Sequence, residues 1–132
     1  MTPPRKISLR AAYRLKQRER IEASPLMAKK FPRLRALKVT VAYFDAAGAR
    51  KNGEMKCKLN VERSRSALWF ACRGGECVGG DFDLTEALAK AVAGRRKVVT
   101  GELRCEGTRK RGDGEVVPCQ TLLRYKLNLN YD

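Results

Sequence analysis

Two cysteine pairs bracket a helical stretch and limit what the chain can fold into. Cys72 and Cys77 stand as C-x4-C across "RGGE", while Cys105 and Cys119 are separated by thirteen residues. Each pair ends one strand pattern and begins another segment, so two tight turns would bring four thiols to one point. Gly74 and Gly75 let the backbone turn sharply inside the first pair, and Pro118 stiffens the approach to Cys119. The chain contains no histidine. That excludes imidazole ligands and Ser-His-Asp or Cys-His nucleophile systems, and any d-block metal must rest on cysteine and carboxylate.

Four thiolates carried on two turns suit a single tetrahedral Zn²⁺. The pattern resembles zinc ribbons and related four-cysteine zinc proteins over roughly residues 68–120. That resemblance implies one structural zinc held by Cys72, Cys77, Cys105 and Cys119. The chain departs from ribbons in using C-x4-C for the usual C-x2-C, in splitting the second pair, and in placing a helix between the pairs. The same thiols also admit other readings: buried small hydrophobes, an iron–sulfur cluster, or a redox pair lacking the C-x-x-C geometry. Cys57 falls on the inward side of a strand, where packing accounts for it.

Hydrophobic periodicity supplies the rest of the fold. Ser8 is placed to cap a basic helix running to about Glu22, with a weak apolar stripe of Leu9, Ala11, Ala12, Tyr13 and Leu15. "SPLMAKKFP" predicts a second short helix, capped by Ser24, opened by Pro25 and stopped by Pro32. Its Leu26, Met27 and Phe31 are placed to dock on the remainder. From Leu37 the period becomes two, giving strands over Leu37–Tyr43, Met55–Val61 and Leu68–Cys72. Asp83 and Glu86 form a capping box ahead of Leu84, Ala87, Leu88, Ala91 and Val92, predicting a helix to Ala93 that Gly94 ends. "KVVTGELRC" and residues 120–131 predict two more strands around a basic hairpin. The expectation is an α+β fold: an antiparallel sheet of about five strands covered by one helix, with residues 1–36 as a basic helical arm and 37–132 as a zinc-binding domain.

Charge points to the partner. The net charge is +15, from 29 basic and 14 acidic residues. Residues 1–38 hold twelve basic residues and two acids, a net of +10. The basic clusters are Arg10, Arg14, Lys16, Arg18, Arg20, Lys29, Lys30, Arg33 and Arg35 in the arm, and Arg109, Lys110 and Arg111 at the hairpin tip. Such clusters bind polyphosphate backbones through counterion release. RNA or a ribonucleoprotein surface fits better than DNA, because no element for groove reading is evident. An acidic protein partner or an oligomerisation role is the competing expectation. A membrane surface fits poorly, because the arm lacks large apolar residues along one face. The absence of a secretory pattern and the free thiols suit the cytoplasm.

Enzymatic readings are weaker. "CRGGECVGGD" lacks the Lys-Ser/Thr of a phosphate loop, and Asp81 and Asp83 would repel a phosphate there. Those two aspartates are placed to cap a helix rather than to act as an acid–base pair. No metal-independent catalytic set remains, and the chain is expected to be non-enzymatic.

Overall fold

The computed structural model describes residues 9–45, 47–49, 54–73, 77–110 and 112–132. Ser8, Gly74, Gly75 and Arg111 lie outside them, as does the cap expected of Ser8. Along the chain run α1 (Leu9–Ala23), α2 (Met27–Lys30), β1 (Leu34–Phe44), β2 (Met55–Leu59), β3 (Trp69–Ala71), β4 (Asp81–Asp83), α3 (Thr85–Ala93), β5 (Val98–Arg104), β6 (Thr108–Lys110), β7 (Val116–Pro118) and β8 (Leu122–Tyr131).

The main sheet has four strands in the order β2-β1-β8-β5, each neighbouring pair antiparallel. Alternation builds it: Leu37, Val39, Val41 and Tyr43 of β1, with Leu123, Leu127 and Leu129 of β8, turn to one buried face. Leu84, just before α3, and Leu88 and Ala91 within it belong to the same core. The opposite face keeps only a small cluster of Ala42, Phe44 and Leu122. Tyr131 ties α3 to the sheet, donating its hydroxyl to the carbonyls of Arg96 (2.7 Å) and Ala91 (3.2 Å).

Four expectations are corrected. The strand near Leu68 does not join the main sheet, which has four strands rather than five. It pairs instead with β4 as a separate ribbon, Phe70 opposite Phe82. The cause is "DFD", whose alternation buries Phe82 in the core and turns both aspartates to the other side, Asp81 half-buried and Asp83 exposed, so it extends rather than turns. Asp83 consequently ends β4, and α3 starts at Thr85. The Asp83 carboxylate still holds the helix start by accepting the Thr85 N–H at 2.9 Å, while Glu86 pairs with Lys90 at 3.1 Å instead of closing a box.

Ser24 does not cap α2. Its hydroxyl bonds back to the Ile21 carbonyl and accepts the Ala67 N–H, closing α1 and tying it to the loop before β3. Finally, the apolar stripe expected of α1 is split: Leu9 is 77% and Leu15 48% exposed, while Tyr13 turns inward. The packed side is Tyr13, Gln17 and Ile21, at helical spacing, with Gln17 buried. Met27 and Phe31 join the main core as expected. β1 begins at Leu34, so Arg35, counted with the arm, lies in the sheet and pairs with Asp132 at 2.8 Å.

Candidate metal centre

The four sulfurs converge. Cys72 follows β3 and Cys77 precedes a short bridge of Val78 to Thr108 on β6. Cys105 follows β5 and Cys119 follows β7, so both lie at the base of the β6–β7 hairpin. All four are buried and their Sγ atoms lie within 4.8 Å of one another. The shortest approaches run between the turns: Cys72 to Cys119 and Cys77 to Cys105, each 3.6 Å. A disulfide would require about 2.05 Å, and all five cysteines are free. A tetrahedron with metal–sulfur bonds of about 2.3 Å has edges of about 3.8 Å. The donor set and its spacing therefore fit a tetrahedral metal ion.

Backbone pairing sets that geometry. Val78 and Thr108 exchange N–H···O bonds of 2.8 and 3.0 Å, stitching one turn to the other. Cys119 N–H donates to the Gly107 carbonyl at 2.9 Å, and Cys105 N–H to the Thr121 carbonyl at 2.8 Å. Two glycines make room. A Cβ on Gly80 would overlap the Sγ atoms of Cys105 and Cys77. One on Gly107 would lie 2.6 Å from the Gly80 nitrogen and 2.7 Å from Cys77 Sγ.

Donors surround the sulfurs. Gly107 N–H points at Cys105 Sγ at 3.3 Å, and the buried Thr121 hydroxyl lies 3.2 Å from Cys119 Sγ. Such partners orient and stabilise metal-bound thiolates. Without a cation the site favours thiols. Burial first, with Cys119 and Cys72 adding and the Cys105 hydrogen bond opposing, pushes Cys77 up to about 12, and the Cys72 hydrogen bond together with burial raises Cys105. A bound cation reverses that balance by deprotonating the thiols it coordinates.

The ligand set expected from sequence is the set the fold brings together, and Cys57 stays half-buried in β2, apart from it. Sequence reasoning missed Gly80, Gly107 and Thr121. The glycine beside each cysteine pair was the available signal.

The two aspartates of β4 have different surroundings: Asp83 is exposed at the start of α3, and Asp81 is half-buried. Asp81 sits in β4 against Tyr13 of α1. Its carboxyl is raised to about 6, first by burial and then by Asp83, against the lowering effects of the Tyr13 hydrogen bond and Arg20.

The expected nucleic-acid residues distribute unevenly. Arg14, Lys16, Arg18 and Arg20 are exposed on α1. Lys29 and Lys30 of α2 and Arg33 are exposed as well, with Lys30 over the Phe31 ring at 5.5 Å. Arg109 and Lys110 are exposed on β6, in the hairpin whose base carries Cys105 and Cys119. Arg10 has turned inward, donating to the Cys72 carbonyl at 3.4 Å, so α1 is tied to the rim of the metal site.

Comparison with protein-family models, with curated proteins and with solved structures gives no match for this chain. Among the described residues no helix is long and apolar enough to cross a membrane.

Proposed function

We propose that this is a non-enzymatic cytoplasmic protein in which a structural zinc at Cys72, Cys77, Cys105 and Cys119 supports binding to RNA or a ribonucleoprotein surface. One observation carries the reading. Four buried sulfurs at tetrahedral spacing form the root from which the basic β6–β7 hairpin grows, and basic α1 is fastened to their rim through Arg10. Zinc would hold the two basic elements in fixed relation, contributing folding energy directly. Exposed arginines and lysines would then contact phosphates with little sequence readout.

The test has two parts. Metal analysis of the purified chain should give one zinc per molecule, lost with unfolding in Cys72→Ser. RNA affinity against salt should then be compared between the full chain and a variant with Arg14, Lys16, Arg18 and Arg20 changed to Gln. If all four touch a single strand, the log–log slope becomes shallower by about 3. Substitution is preferable to deleting the arm, because Met27, Phe31 and Leu34 belong to the core. Folded, metal-free protein would reject the site.

A second reading, an interaction module with an acidic protein partner, is favoured by one feature. Leu9 and Leu15 on α1 and Val116 on the hairpin expose apolar surface beside the basic residues. RNA affinity that ignores the α1 substitutions would favour it.

A further inference from the structure

The face of the main sheet turned away from the core carries a charge pattern that neither the arm nor the hairpin accounts for. The register places Lys38 of β1 directly opposite Lys58 of β2, and Thr40 between Lys56 of β2 and Lys126 of β8. Four lysines thus occupy two adjacent rows. Rows lie about 7 Å apart and neighbouring strands about 4.8 Å apart.

Like charges directly opposite on antiparallel strands are destabilising. Yet among the described residues no acid pairs with any of these four lysines. A groove of about 490 Å³ crosses the same face, floored by the small side chains of Thr40, Ala42 and Thr100, with Arg124, Lys126, Glu54 and Glu102 also in its lining. Of the two acids lining the groove, Glu102 is engaged by Arg124 at 2.8 Å, and Glu54 also has a partner.

We propose that this sheet face is a second nucleic-acid contact, a furrow that takes the phosphate backbone of a single strand. The inference rests on the RNA reading given above and extends its surface beyond α1 and the hairpin. The pattern selects the occupant. A second copy of the chain would bring another +15 against the lysines. A folded protein partner calls for an apolar or aromatic anchor, and neither aromatic lining the groove is open: Phe44 is only 8% exposed with Arg124 stacked over it at 4.5 Å, and Tyr125 is half-buried with its ring packed across Gly101. The same absence of an open aromatic means that bases do not stack there, so the contact reads phosphate and not sequence.

The test uses the full chain and a fluorescein-labelled mixed-sequence 20-nucleotide single-stranded RNA, followed by anisotropy from 50 to 200 mM KCl. One variant carries Lys56→Gln, Lys58→Gln and Lys126→Gln, all at exposed positions, with circular dichroism confirming the fold. A second carries the four α1 substitutions. Three lost single-strand contacts should make the sheet variant's slope shallower by about 2, so that the wild-type advantage shrinks more than tenfold across that salt range. A sheet variant with the wild-type affinity and slope, alongside an α1 variant that weakens, overturns the furrow and leaves the RNA reading standing. No RNA binding by the full chain overturns both. Equal loss of binding to a poly-glutamate peptide and to RNA would assign the face to acidic chains generally and overturn the proposal.

Discussion

Gly107→Ala puts the metal site to its sharpest test. The added methyl would sit 2.7 Å from Cys77 Sγ and 2.6 Å from the Gly80 nitrogen, where ordinary contact begins at 3.4 Å. Neither neighbour is the free end of a flexible chain: one is backbone and the other is a proposed ligand. Relief therefore requires a retreat of about 0.7 Å by the sulfur or by the strand pairing that holds it. Zinc–sulfur distances tolerate about 0.2 Å around 2.3 Å. Disturbance of the surroundings of a metal ligand typically costs 10- to 100-fold in affinity, and a displaced ligand belongs at the upper end, about 2.7 kcal/mol. The assay is zinc competition against a chromophoric chelator. Gly112→Ala serves as control, because a methyl there meets nothing within 4 Å. Gly107→Ala should bind zinc about 100-fold more weakly, with a correspondingly lower melting temperature in excess zinc, while Gly112→Ala keeps the wild-type affinity. Wild-type affinity in Gly107→Ala would refute the cradle built from these two turns.

Three further outcomes follow from the same geometry. Zinc binding at pH 7 should release protons, since Cys77 and Cys105 are held protonated without a cation; calorimetry in two buffers of different ionisation enthalpy measures this, and affinity should fall as pH is lowered. The Asp81 carboxyl rises from 3.8 to about 6 on folding, so the native state holds the extra proton and stability falls as pH climbs from about 4 to about 6. The partly exposed site is screened by solvent, which leaves about 1 kcal/mol of that fall; Asp81→Asn should flatten it in urea melts across this range. Leu88→Ala, at a side chain with no exposure, should cost about 2–5 kcal/mol in thermal or urea unfolding.

The cysteine set was legible because its chemistry is discrete: four thiols at segment ends, and a fifth on an alternating strand. The long strands were legible for the same kind of reason, since Val39, Val41, Leu127 and Leu129 repeat at period two. What the sequence hid were local competitions. "DFD" has one apolar residue, too few for periodicity to separate an extended ribbon from a cap, and only the opposing Phe70 decides it. The docked face of α1 was only partly found by looking for an apolar stripe, because Tyr13 shares it with the polar Gln17 and with Ile21 one turn further, while Leu9 and Leu15 face water. The glycines at the cradle look like those of any turn until the sulfurs they border are placed.

The pairing of β1 with both β2 and β8 has a consequence for how the protein is made. β2 is available soon after β1, but Leu122, the partner of Phe44, comes roughly eighty residues later. At about 5–20 residues per second the ribosome needs about 4–16 s to supply it. Throughout that interval one edge of an eleven-residue strand has its hydrogen-bonding groups open to pairing with another nascent chain. Lys38 and the basic segment that precedes β1 would repel identical neighbours during this wait, so the charge that makes the folded chain basic would also guard its synthesis.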